Sequence, residues 1–192
     1  MGGVGGFAQG LRYAYFQVMT VMSTCGFATA DFDAWPALSR CLLVLLMFGG
    51  GCAGSTAGGM KLSRVLILLK SWAFELKKLV LPSRVRRIWF ESKPVDEETV
   101  KSVHVFFAAY IMILLIVGLV ISLDGMDFTT NLTASLACLS NVGPGLSAVG
   151  PTGNFTVFSP LSKLVLSLEM LLGRLEIFPM LYLLSPRVWA KK

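Results

Sequence analysis

The longest uninterrupted apolar stretch runs from Val103 to Leu123 without an Asp, Glu, Lys or Arg, through Phe106, Phe107, Ile111, Leu114, Leu115, Val117 and Val120. A helix rises about 1.5 Å per residue, so about 20 such residues cross a hydrocarbon core about 30 Å thick. The stretch therefore predicts a spanning helix. Asp96, Glu97 and Glu98 precede it, where a helix dipole favours negative charge. A second apolar segment extends from Leu161 to about Leu184, between Pro160 and Pro186, interrupted by Glu169, Gly173, Arg174, Glu176 and Pro179. A third, Ala37 to Phe48, is too short to cross alone. It meets a glycine-rich run from Gly49 to Gly59, after which Met60 to Leu81 resumes as an amphipathic helix with Lys and Arg. That is a helix broken in its middle. Backbone left exposed in lipid is prohibitively costly, so such a break belongs inside protein or beside a water-filled path.

Two shorter segments, Leu11 to Met22 and Phe128 to Leu139, are apolar or small and too short to span. Each ends in a polar and glycine cluster: Ser23-Thr24-Cys25-Gly26-Phe27 in one, Ser140-Asn141-Val142-Gly143-Pro144-Gly145-Leu146 in the other. They read as re-entrant half-helices followed by extended loops. The halves of the chain also superimpose as a repeat: Leu38-Ser39-Arg40 answers Leu161-Ser162-Lys163, Met47 answers Met170, and Gly50 answers Gly173. Each copy reads half-helix, glycine-bearing loop, outer linker, inner helix.

Composition agrees with a membrane class. Hydrophobic residues make up 55% and charged residues 15% of the 192, against roughly a quarter charged in an average soluble domain. Mean hydropathy is +0.71. Net charge is +6, and it is concentrated: Lys61, Arg64, Lys70, Lys77, Lys78, Arg84, Arg86, Arg87 and Lys93 face only Glu75 and Glu91, whereas Asp124 to Ser162 has neither Lys nor Arg. That asymmetry places the basic stretch in the cytoplasm and makes nucleic acid a poor candidate partner. Cys25, Cys41, Cys52 and Cys138 form no metal-binding spacing, and His104 stands alone.

The chemistry that these loops can perform is cation coordination. A half-helix directing its C-terminus at the membrane centre presents the negative end of its dipole. The loop beyond it offers backbone carbonyls in place of an alkali ion's water shell. Glycine helps successive carbonyls face one axis. Asp31, Asp33, Asp124 and Asp127 would make an outer mouth attractive to cations. Arg174, inside an apolar span, is costly there. In a cation pathway it raises a local barrier or holds the glycine-rich loop by bonding its carbonyls; the alternative is pairing with Glu169 or Glu176 as packing. Gly49-x-Gly51-x-x-Gly54 formally matches a dinucleotide fingerprint, but no alternating strand and helix pattern surrounds it. An enzyme is not expected. A coupled secondary transporter of another cation or solute would call for acids at mid-membrane, where only Glu169 and Glu176 qualify.

Thr24 to Asp31, Gly49 to Lys61, Ser140 to Leu146 and Glu169 to Pro179 together resemble the C-terminal part of the TrkH/KtrB potassium-uptake proteins. The resemblance implies an all-α membrane fold of tandem helix–pore loop–helix units, here about one and a half of four. The divisions are then 1–70 (pore helix, filter loop and broken inner helix of the third unit), 71–101 (basic cytoplasmic linker), 102–186 (complete fourth unit) and 187–192 (cytoplasmic tail). It implies Thr24, Cys25 and Gly26 as the third selectivity-filter segment and Asn141, Val142 and Gly143 as the fourth. It implies a gating loop of Gly49, Gly50, Gly51, Gly54, Ser55, Thr56, Gly58 and Gly59, with Arg174 beside it as gate or barrier. It implies potassium as the transported ion, with no cofactor. The implied setting is the bacterial inner membrane, with residues 61–101 and the C-terminus cytoplasmic. Implied partners are lipid, a second copy, a cytosolic ring of nucleotide-binding TrkA-type subunits, and the missing N-terminal half of the protein. With two of four filter segments, the chain is expected to be inactive without that half.

Overall fold

The computed structural model describes residues 6–52, 54–80, 89–90, 93–175, 177 and 179–180. Among the described residues six helices carry the architecture: α1 (Phe7–Met22), α2 (Ala37–Gly49), α3 (Leu62–Val80), α4 (Glu97–Ile121), α5 (Phe128–Leu139) and α6 (Pro160–Arg174). A two-residue ribbon, β1 (Trp89–Phe90) against β2 (Lys93–Pro94), lies before α4.

Helix α4 is the one helix among the described residues long and apolar enough to cross a membrane. Val103, Phe106, Tyr110, Leu114, Val117 and Ile121 form its buried stripe, spaced three and four residues apart as an inward face requires. Its other faces are also apolar, with Val105, Met112, Leu115, Ile116 and Leu119 exposed. A helix greasy on every side faces lipid where it does not face protein.

Helix α5 is the opposite case. From Thr130 to Leu139 all but Leu132 are buried, although Thr130, Asn131, Thr133 and Ser135 are polar. Most of these buried polar groups find partners: Thr133 Oγ1 donates to Thr129 O at 2.7 Å, and Asn131 Nδ2 donates to Met126 O at 3.0 Å, while Asn131 Oδ1 has no partner among the described residues. Helices α4 and α6 pack around it.

Its N-terminus is set by Asp127, which accepts from Thr130 N at 3.2 Å and from the Thr130 hydroxyl. The hydroxyl, then the N–H, hold the Asp127 carboxyl below the ordinary carboxylate range, with Ser147 adding to it. A depressed carboxylate stabilises the fold above its unfolded pKa of about 4 and ceases to do so as pH falls through the folded value. Asp127→Ala is expected to cost about 1 kcal/mol of stability at neutral pH, as loss of an N-cap does. The difference from the parent should shrink on acidification below about pH 4; a loss that stays constant in acid, measured by thermal unfolding in detergent, would contradict this.

The expected segments are adjusted at several ends. Helix α1 begins at Phe7 rather than Leu11, and α3 begins at Leu62 rather than Met60. The second apolar segment does not continue as one helix to Leu184: α6 stops at Arg174 and helical geometry lapses at Leu175. Pro179 stands four residues beyond, where its ring opposes the carbonyl of Leu175 and it can donate no helical hydrogen bond. Residues 181–184 lie outside the described residues.

Helices α2 and α6 begin in register, Ala37 answering Pro160, as the repeat requires. They part at the glycines. Gly50 has φ +59° and ends α2, whereas Gly173 stays within α6.

Candidate functional site

The two polar and glycine clusters close their half-helices with the same backbone. After α1, Ser23 N reaches Met19 O (2.9 Å), Thr24 N reaches Val21 O (3.2 Å) and Cys25 N reaches Thr20 O (3.0 Å). After α5, Ser140 N reaches Leu136 O (2.9 Å), Asn141 N reaches Cys138 O (3.1 Å) and Val142 N reaches Ala137 O (2.9 Å). The φ angles repeat as well: +56° at Thr24 and +55° at Asn141, then +76° at Gly26 and +106° at Gly143. This is a helix-ending motif with a left-handed residue just past the cap. It directs the loop's N–H groups back onto the helix, so its carbonyls are left to point away. Alternating left- and right-handed residues bring such carbonyls toward one side.

The left-handed position suits Asn141 better than Thr24, because Asn tolerates that region and a β-branched residue does not. The Asn141 side chain is also tied, its Nδ2 donating to Met170 O on α6 at 3.1 Å. The loops meet each other: a Cβ on Gly26 would collide with the carbonyl oxygen of Val142 and come within 3.3 Å of Pro144 Cδ.

Polar residues inside the half-helices brace these loops, and sequence reasoning did not single most of them out. Gln17 is fully buried; with its amide oxygen turned toward the loop, it accepts from Thr29 N at 3.0 Å and Ala30 N at 3.3 Å. Thr133 Oγ1 accepts from Leu146 N at 3.0 Å. Tyr110 of α4 and Ser140 share a buried hydroxyl–hydroxyl bond of 2.7 Å. The signal was available: uncharged polar residues in otherwise apolar segments, which burial obliges to find a partner.

The glycine-rich break folds back on itself. Met60 N donates to Phe48 O at 3.2 Å and Leu62 N to Gly51 O at 3.0 Å, so the chain re-enters helix close to where it left. The loop lies against the second cluster: a Cβ on Gly58 would collide with Ser140 O and stand 3.0 Å from Asn141 Cβ. Arg174 Nη1 donates to Thr56 O across the break. Glu169, one of the two acids named as partners for Arg174, turns instead to Ser135, whose Oγ donates to its Oε1 at 2.6 Å. Glu176 lies outside the described residues. Ser55, Thr56, Ala57, Gly59, Lys61 and Arg174 border a small cavity of about 150 Å³ beneath the loop. Among the formally dinucleotide-like glycines, the preceding apolar run is helix α2, not a strand, which removes the context that such a fingerprint needs.

The four outer acids are committed to local structure. Asp31 accepts from Asp33 N at 3.1 Å, Asp33 lies 3.7 Å from Arg40, Asp124 accepts from Ser159 N at 2.9 Å, and Asp127 caps α5. They position the linkers of the two repeats, and their charge remains on that side.

Paired half-helices ending in matched loops, a broken inner helix beneath them and a lipid-facing helix define an all-α membrane protein of the helix–pore loop–helix type. A family profile described as "TrkH: Cation transport protein" matches residues 4–190. The chain is 39% identical over 179 residues to the Trk system potassium uptake protein TrkH of Escherichia coli K12, covering 93% of this chain and 37% of that protein. It is 41% identical over 176 residues to the protein of the same name from Vibrio parahaemolyticus, covering 92% and 36%. The crystal structure of the potassium transporter TrkH from Vibrio parahaemolyticus matches with a TM-score of 0.86 at 38% identity, over 96% of this chain and 39% of that one. The chain belongs to the TrkH family of membrane cation transport proteins. It spans just over a third of the length of the curated relatives it matches.

Proposed function

We propose that this chain supplies the third and fourth quarters of a potassium-uptake pore. Carbonyl oxygens of Thr24, Cys25 and Gly26 and of Asn141, Val142 and Gly143 replace water around the ion. The loop from Gly49 to Gly59 closes the path below them, with Arg174 holding it shut through Thr56. The observation that carries this reading is the matching pattern of hydrogen bonds and positive φ angles in the two loops, which lie against each other. One such loop could be an accident of a helix end; two with the same left-handed alternation, set side by side, form part of a ring. The names of the relatives, which are potassium uptake proteins, support potassium as the ion.

Two segments cannot surround an ion on four sides, so the pore is completed by two further units of the same kind. The exposed apolar residues on α1 and its loop, among them Phe7, Leu11, Tyr15 and Phe27, give those units a surface to cover. On this reading 61–101 and the C-terminus face the cytoplasm of a bacterial inner-membrane protein, which the basic stretch supports. On the same reading the boundaries 1–70, 71–101, 102–186 and 187–192 separate third unit, linker, fourth unit and tail. A second copy and a TrkA-type nucleotide-binding ring complete the assembly, the ring meeting the basic face.

The test is rubidium uptake in cells stripped of other potassium transporters. The chain completed by the two preceding units is expected to restore uptake, and Gly143→Asp, which places a carboxylate among the carbonyls, to abolish it or alter its ion preference. Unchanged rubidium flux in Gly143→Asp would reject the pore assignment.

A further inference from the structure

Glu169 is 1% exposed and Ser135 is fully buried. Ser135 Oγ donates to Glu169 Oε1 at 2.6 Å and also lies 3.2 Å from Leu114 O of α4. One hydroxyl thus pins the half-helix α5 to both helices that flank it. The other carboxyl oxygen, Oε2, is buried and has no hydrogen-bond partner among the described residues. A buried polar atom without a partner is costly. An apolar pair would pack this junction at less expense, and the chain contains the comparison.

The loop register sets Thr24 against Asn141, so Val18 of α1 stands where Ser135 stands in α5. The inner-helix register sets Ala37 against Pro160, so Leu46 of α2 stands where Glu169 stands in α6. Val18 and Leu46 both pack on the main core. The equivalent positions of the half-helix and inner helix in the first copy are therefore held by two apolar side chains that pack on the core. The polar pair of the second copy serves something besides packing.

What differs between the copies is the loop that follows. In the second copy, α6 holds that loop directly: Met170 O accepts from Asn141 Nδ2, one residue beyond Glu169, and Gly173 brings α6 against the carbonyl of Leu139. Ser135 lies about one helical turn before Leu139. Glu169, Met170 and Gly173 thus clasp α5 and its loop on one face of α6. We propose that Glu169 and Ser135 are positioning residues for ion discrimination: they set the depth and rotation of α5, and through Asn141 the placement of the carbonyls of Asn141 to Gly143. The inference rests on the reading of those carbonyls as ion ligands. Discrimination between alkali ions depends on the number and placement of such oxygens, so a rotation of α5 too small to unfold it would change which ion is preferred.

The test transplants the first copy's pair into the second, Ser135→Val with Glu169→Leu, in the transporter completed by its two preceding units. Rubidium uptake is measured with and without competing sodium, alongside thermal unfolding in detergent. The double variant is expected to keep its melting midpoint and maximal rate while its KM for rubidium rises about tenfold and sodium competes better, a split that marks a ligand-positioning defect. Ser135→Ala alone should raise KM as much, because either change breaks the same bond. Glu169→Gln, which keeps an acceptor oxygen for Ser135, should restore parental KM. Parental KM and sodium exclusion in the double variant would overturn the inference. A melting midpoint lost together with transport would also overturn it, since the pair would then be packing. Glu169→Gln as impaired as the double variant would overturn the positioning role in favour of the charge. Gly143→Asp separates the levels. If it abolishes flux while the double variant is parental, this inference alone fails; if it too is parental, the pore reading fails.

Discussion

Replacing Gly26 by alanine is expected to abolish rubidium uptake in the completed transporter. Two costs fall on one methyl group. Gly26 has φ +76°, a region that costs an alanine about 1 kcal/mol or more. Its Cβ would also fall on the carbonyl oxygen of Val142, in the neighbouring loop. A main-chain oxygen cannot swing aside as a side chain can, so the loops must separate, and the ring of ligands opens. Each 1.4 kcal/mol lost from the conducting geometry is about tenfold in rate, so the combined effect should exceed a hundredfold. Gly143→Ala is the informative comparison. At φ +106° it is strained, yet nothing stands within 4 Å of its Cβ, so strain alone should reduce flux by much less. Equal losses at the two positions would mean that contact between the loops is not what matters.

Gly173→Ala should be the second severe change, and here two effects oppose each other. Gly173 lies within α6, where alanine gains about 1 kcal/mol of helix propensity over glycine. Against this, the new methyl would collide with the carbonyl oxygen of Leu139 and stand 2.9 Å from Asn141 Nδ2. Overpacking costs about 1–3 kcal/mol, and more when backbone must move, so collision outweighs propensity. The variant should melt lower in detergent and lose uptake, because α6 is pushed off the end of α5 and the Asn141 tether to Met170 lengthens. Gly118→Ala in α4, where nothing lies within 4 Å, isolates the propensity term and should be neutral or stabilising. If Gly173→Ala behaved like Gly118→Ala, the close approach of α6 to α5 would be unnecessary for function.

Both changes act where main chain meets main chain, and this is also where reading the sequence was least complete. The bounds of α5, Phe128 to Leu139, follow from an apolar run between a capping aspartate and a glycine cluster. The break after α2 follows from the run of glycines. The span of α4 needs only its greasy length. Each is a local property, decided within a few residues by capping, backbone freedom or transfer from water. The end of α6 was partly legible, since Pro179 was visible, but an apolar tail to Leu184 masked its effect at Leu175.

The sequence by itself determined the membrane class, the repeat, the two loops and the glycine-rich break. Periodicity, hydropathy and glycine content act over short distances and leave their mark in composition. Only the tertiary structure decided which groups meet: Arg174 on the Thr56 carbonyl, Glu169 on Ser135, Gly58 beneath Ser140, Gly26 against Val142. Those meetings join residues up to 118 positions apart. All but the Glu169–Ser135 bond depend on main-chain oxygens, which every residue carries alike, and so no residue type announces them.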